Sequence, residues 1–159
     1  MAAEASPSSE NRIVVGVDGS APSKAALRWA LRQAHLTGAV VEAVTAWEFP
    51  VVYGYPAPVI DGVSFEELAT NVVRDAIAEA THGAEAGQVY YKVVKGNAAS
   101  ALLRESAGAD LLVVGSRGHA GFVEALLGST GQHRVHHATC PVVVIRDSVT
   151  GQWPESDHS

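Results

Sequence analysis

"ADLLVVGSRGHAGFVEALLGSTG" (residues 109–131) sets a continuous apolar, β-branched run directly before glycines at 115, 118, 121, 128 and 131. A short run with no polar alternation reads as a strand covered on both faces, which belongs in a parallel sheet flanked by helices. The glycines begin where that strand must exit. Glycine adopts positive φ at little cost and has no Cβ, so a ligand can approach its main chain closely. A strand followed by a turn of this kind and a helix can aim backbone N–H groups at an anion, with phosphate as the first candidate. The competing reading is a tight turn and nothing more.

Working outward, strand and helix signals alternate. "RIVVGV" (residues 12–17) reads as a buried strand ending near Asp18. In "GSAPSKAALRWALRQAHLTG", Ser20 is placed to cap a helix, Pro22 sits in its first turn, Leu27, Ala30, Leu31 and Ala34 share a face, and Gly38 stops it. "AVVEAVTAW" (residues 39–47) returns to strand composition. It leads into "EFPVVYGYPAPVIDG", whose three prolines and two glycines mark a loop longer than a simple connector and of the kind that covers sites. From Ser64, "SFEE" forms a capping box, and Phe65, Leu68, Ala69, Val72, Ala76 and Ala80 keep helical spacing until Gly83 or Gly87. "QVYYKVVKG" alternates as a strand, Asn97 caps the short helix "AASALLRESA", and "CPVVVIR" closes the pattern as a last strand. Residues 1–10 and 148–159 lack packing periodicity and read as a disordered and a flexible tail around one domain at 11–147.

Five strands separated by helices imply an α/β fold, a mostly parallel sheet with helices on both faces. Ligands of such sheets lie beyond the carboxyl ends of the strands, where the strand order reverses. In the order 3-2-1-4-5, the two polar glycine-bearing exits, "DGS" after strand one and "GSRGHAG" after strand four, are neighbours there. The loop is not a Walker phosphate loop, because none of its glycines is followed by lysine. Nor is it the dinucleotide fingerprint, since Gly115, Gly118 and Gly121 form GxxGxxG rather than GxGxxG.

The spacing continues: Gly115, two residues, Gly118, nine residues, then Gly128, Ser129 and Thr130. This GxxGx9G(S/T) arrangement, with "VGVDGS" in strand one and "VVGSRGHAGFVEALLGSTGQHRVHHATCPVVVIR", resembles the universal stress protein family over about residues 11–146. The resemblance implies a Rossmann-like three-layer sandwich of the adenine nucleotide alpha hydrolase-like type, with a five-stranded parallel sheet in the order 3-2-1-4-5. It also implies ATP binding, which the family's subgroup with this glycine pattern shows, and a homodimer through the last strand (residues 141–146).

Carried over by position, the resemblance assigns Gly115, Gly118, Gly128 and Ser129 to ribose and phosphate contacts, with Ser116, Gly121 and Thr130 in the same loop. Unpaired N–H groups and the positive end of a helix dipole suit that role without a lysine. Ser129 and Thr130 would otherwise be ordinary helix caps. Arg117 is either a solvated charge or an electrostatic partner of the polyphosphate. Asp18, in the family's "VDGS" position with Ser20, faces repulsion from phosphate. Ribose, adenine or Mg²⁺ is the better match, with a plain helix cap as the alternative. Gly16 would leave room beside the base, and Ala46 aligns with the place where the family reads adenine through its main chain.

Composition narrows the remaining classes. The formal net charge is −6 with no Lys/Arg cluster, which disfavours nucleic acid and anionic membranes. No apolar run approaches the roughly 20 residues of a membrane span. The first residues carry no secretory pattern and the single Cys140 suits a reducing compartment, so a cytoplasmic protein is expected. His133, His136 and His137 form HxxHH, for which a helix C-terminal charge effect is the reading preferred over metal binding. Cys140 reads as a buried structural thiol. Tyr53 and Tyr55 suit loop packing as well as a base cover, and Trp29, Trp47 and Trp153 form no stacking stripe. The preferred function is an ATP- and Mg²⁺-binding stress-response module. A slow ATPase or adenylyl/phosphoryl-transfer enzyme is the alternative, for which no water-activating base is evident. A dimerisation module without nucleotide is the third.

Overall fold

The computed structural model describes residues 3–4, 11–48, 51–52, 55–56, 64–82, 88–116 and 138–146. Strand β1 is Arg12–Gly16, β2 Val40–Trp47, β3 Val89–Lys95, β4 Leu111–Gly115 and β5 Val142–Ile145. They pair in parallel, as the alternation of strand and helix signals predicts, and in the order 3-2-1-4-5 that the family resemblance implies. A sixth strand of two residues, Ala3–Glu4, lies within the segment assigned to a tail and pairs in parallel with Tyr90 and Tyr91 of β3. In the long loop, Val51–Val52 and Tyr55–Pro56 form a small antiparallel ribbon.

Three helices are described: α1 at Ala21–Thr37, α2 at Phe65–Thr81 and α3 at Ala98–Glu105. Their starts follow local chemistry. The side chains of Ser20, Ser64 and Asn97 accept hydrogen bonds from the backbone N–H of Ser23, Glu67 and Ser100, satisfying donors that a helix start leaves without partners. Helix α1 ends at Gly38, which takes φ of 76° and donates its N–H to the Ala34 carbonyl. Helix α2 ends one residue before the expected Gly83, because His82 itself takes the left-handed conformation with φ of 53°.

Helices α1 and α2 cover one sheet face and α3 the other. The first layer joins Ile13, Val15, Val17, Val41, Ala43, Val89 and Val113 to Ala26, Leu27 and Ala30 of α1 and Val73, Ala76 and Ile77 of α2. The second joins Val14, Val44, Leu112 and Val114 to Leu102. Alternation of adjacent strand residues between two apolar layers explains why these strands carry no polar face. One expectation fails: Leu68 is 51% exposed, and the inward positions of α2 are Ala69, Val73, Ala76 and Ile77.

Candidate functional site

Strand β1 lies at the centre of the sheet. The chain leaves it for β2 and β3 on one side and returns to β4 on the other, so the strand order reverses between β1 and β4. The register Ile13 to Leu111 through Val15 to Val113, extended along both strands, brings Asp18 level with Ser116. Of the two polar exits expected to meet, the described part of the second, Gly115 and Ser116, lies beside the first.

The β1 exit is held by a local hydrogen-bond net. The Ser20 N–H donates to Asp18 Oδ1 at 2.9 Å, and the Asp18 N–H donates to Ser23 Oγ at 3.2 Å. The Ser23 hydroxyl donates in turn to the Ser20 carbonyl at 3.0 Å, while the Ser23 N–H donates to Ser20 Oγ at 3.3 Å. Gly19 makes the bend with φ of 85°, where a side chain would be strained and would meet Val72 of α2. Asp18 is exposed, whereas Ser23 is buried. Across β1, the buried Thr45 hydroxyl of β2 donates to the Val17 carbonyl at 2.8 Å and ties the two tips together.

This net makes the start of α1 a poor anion cradle. The amides of Ser20 and Ser23 are already given to side-chain oxygens, Pro22 has no N–H, and the Asp18 carboxylate stands beside them. Fewer main-chain donors are left for an anion at this helix start than its position alone would suggest.

At the β4 exit, a Cβ added to Gly115 would lie 2.6 Å from the Pro22 carbonyl carbon and 2.8 Å from its oxygen. Glycine is required there because the first turn of α1 rests on the end of β4. Gly115 thus brings the two halves of the crevice into contact, and Ser116, half-buried, donates its N–H to the Ile145 carbonyl at 2.8 Å. Gly16 has a packing reason of its own: an added Cβ would meet Leu102 Cδ1 at 2.6 Å, so the space is filled by α3. Ala46 is half-buried at the β2 tip, next to Trp47, whose ring lies 5.7 Å from Lys95 Nζ. Arg117, Gly118, Gly121, Gly128, Ser129 and Thr130 lie outside the described residues, as do His133, His136 and His137.

The opposite end of the sheet carries a polar cluster that sequence reading missed. Glu42, fully buried in β2, pairs with Arg12 at 3.2 Å. Arg12 also donates to the Glu105 and Ala107 carbonyls at 2.8 and 2.9 Å, and the Glu105 carboxylate pairs with Lys92 at 2.8 Å. A glutamate inside "VVEAV" was the available signal, since a charge in a two-face-buried strand needs a partner. Cys140 lies on this side, where burial raises its thiol pKa while a Ser106 hydrogen bond and the Arg12 charge pull it down. Among the described residues, no group of three His, Cys, Asp or Glu side chains is placed to hold a metal, and no helix is long and apolar enough to cross a membrane.

Comparison with known proteins bears on this geometry. The family model described as "Universal stress protein family" matches residues 10–146. A universal stress protein of Mycolicibacterium smegmatis is 38% identical over 146 residues, covering 86% of this chain and 48% of the relative. One from Mycobacterium tuberculosis is 33% identical over 138 residues, covering 87% and 46%. The chain therefore spans about half the length of the curated relatives it matches. Among solved structures, a universal stress protein in complex with cAMP superposes with a TM-score of 0.61 at 26% identity, covering 89% of this chain and all of that one. A family member from Burkholderia pseudomallei gives 0.59 at 31% identity, covering 88% and 98%. With the reversed strand order, the paired polar exits and the matched sequence in agreement, the chain belongs to the universal stress protein family.

Proposed function

We propose that this protein binds an adenine nucleotide, ATP with Mg²⁺, across the tips of β1 and β4, and acts in a stress response as a nucleotide-dependent module in a reducing, cytoplasmic setting. The observation that carries the reading is the complete GxxGx9GS spacing on a strand exit that abuts the Asp18 turn through Gly115 and Pro22. Nucleotide binding by a relative supports it, since the structure with a TM-score of 0.61 is a complex with cAMP.

The division of labour follows from charge. The α1 start, self-capped and next to a carboxylate, suits an uncharged hydroxylated group, and the ribose is that part of a nucleotide. The phosphates then fall to the β4 side, where Gly115, Gly118, Gly121 and Gly128 contribute backbone N–H groups, Ser116, Ser129 and Thr130 hydroxyls, and Arg117 a positive charge, the Ser116 N–H being given to Ile145. Ala46 borders the base, whereas the space at Gly16, expected to leave room there, is taken by Leu102. Mg²⁺, which keeps several waters and binds phosphate oxygens, would be held mainly by the phosphates, with Asp18 as its protein ligand only in the alternative where that carboxylate does not take the ribose. The outer edge of β5 has no partner strand among the described residues, and a second copy pairs there through residues 141–146.

Protein purified under native conditions and then denatured should release adenine nucleotide on chromatography. Calorimetric titration of the stripped protein should give an affinity in the micromolar range, about −8 kcal/mol. Absence of nucleotide in both measurements rejects the reading. Light scattering that returns a monomer rejects the β5 pairing alone.

A further inference from the structure

We infer that Ser23, buried beneath the β1 exit, is a positioning residue that fixes the Asp18 carboxylate for a ribose hydroxyl. The inference rests on the adenine-nucleotide reading above and assigns a part of that site to a residue that cannot itself reach a ligand.

Ser23 is 3% exposed, yet both of its hydrogen-bonding groups act on the turn that carries Asp18. Its Oγ accepts from the Asp18 N–H at 3.2 Å and donates to the Ser20 carbonyl at 3.0 Å. Its N–H donates to Ser20 Oγ at 3.3 Å, and the Ser20 N–H closes the net onto Asp18 Oδ1 at 2.9 Å. One hydroxyl thus bridges the last residue of the β1 exit and the cap of α1. Replacing it by a methyl group removes the acceptor for the Asp18 amide and the donor to Ser20 together. The carboxylate then keeps its chemistry and loses its fixed position. A carboxylate offers about four acceptor sites on its two oxygens, and the Ser20 N–H takes one of them, on Oδ1. The position of that donor is set by the turn, and the turn is set by Ser23. Ser23 is also packed into the helix start, so a merely structural role predicts lost stability with unchanged preference between ribose and deoxyribose.

The experiment compares ATP with 2′-deoxy-ATP and 3′-deoxy-ATP by calorimetry on the full chain. Wild-type protein should prefer ATP over at least one deoxy analogue by about 10-fold, the scale of a hydrogen bond to a charged group. Ser23→Ala should bring that ratio close to one. Ser106→Ala, which removes a buried hydroxyl at the far end of the sheet, should preserve the ratio. If Ser23→Ala does not fold, Ser23→Cys keeps the volume and supplies only a weak acceptor, and should also lower the ratio. An unchanged ratio in a folded Ser23 variant that still binds ATP overturns the inference and leaves the nucleotide reading intact. Equal wild-type affinity for all three ligands removes the ribose contact. A wild-type protein that binds none of them overturns the nucleotide reading and the role of Ser23 with it.

Discussion

The two ends of the sheet treat charge in opposite ways. At the amino ends of the strands, Arg12, Glu42, Lys92 and Glu105 are joined by ion pairs and carbonyl contacts under α3, with Glu42 shut off from water. At the carboxyl ends, Asp18 is exposed on a glycine turn and held by short-range bonds from its own segment. Buried charges engaged with one another maintain a fold, because removing one leaves another in a medium that penalises it. A carboxylate held at the surface on a turn of its own segment contributes far less to holding the sheet together. The contrast separates a scaffold cluster from the end of the sheet where the nucleotide is proposed to bind.

The contrast can be broken most severely from the scaffold end. Arg12→Ala should cost about 3–5 kcal/mol of unfolding free energy in denaturant titration, since Glu42 loses its cation in a buried strand. Nucleotide affinity of the fraction that remains folded should hardly change. Loss of affinity with unaltered stability would reverse the roles assigned to the two ends.

At the site end, Gly115→Ala should destabilise by about 1–3 kcal/mol, because the new methyl group meets the rigid backbone of Pro22 rather than a movable side chain. It should also weaken ATP binding by separating the two strand exits. A variant with wild-type stability and affinity would mean that the contact between Gly115 and Pro22 does not shape the crevice.

A smaller change sharpens the comparison by touching neither cluster. His82→Gly should stabilise the protein by about 0.5–1 kcal/mol, as glycine relieves the left-handed strain at the end of α2 at some cost in unfolded-chain entropy. For a chain of this size the melting temperature should rise by about 2 °C in calorimetry.

The smallest effect concerns Cys140. Burial raises its thiol pKa, so the folded chain holds that proton more tightly than the unfolded chain. The resulting stability is complete below the ordinary thiol range, near about 8.5, and is lost as pH rises through the folded value. Alkylation by iodoacetamide at neutral pH should be slower than for a free cysteine peptide. Equal rates would mean that the thiol is an accessible nucleophile.

Much of this architecture is legible because its signals are local. Ser20, Ser64 and Asn97 announce helix starts through their own side chains, and Gly38 announces an end through its φ. The strand order follows from alternating elements and the family pattern. Long-range choices are not legible. Nothing near Gly16 in sequence says that its empty Cβ position belongs to Leu102, and nothing near Gly115 points to Pro22. Glu42 passed unremarked in its strand, and Arg12, 30 positions earlier, becomes its partner only once β1 and β2 pair. Val73 and Ile77 displaced Leu68 from the inward stripe: Ala69, Val73, Ala76 and Ile77 form an equally good helical stripe, and only packing on β2 and β3 decides which of the two points down. The GxxGx9GS spacing pointed to the family, while residues 117–130, to which the resemblance assigns most of the nucleotide contacts, lie outside the described residues.

Ala3–Glu4 blunts the border of the sheet at β3, so the two lateral borders are not equivalent. If two copies pair as proposed through the border at β5, which has no partner strand among the described residues, that side of each is used up, and growth would halt at a pair instead of running on into a fibre.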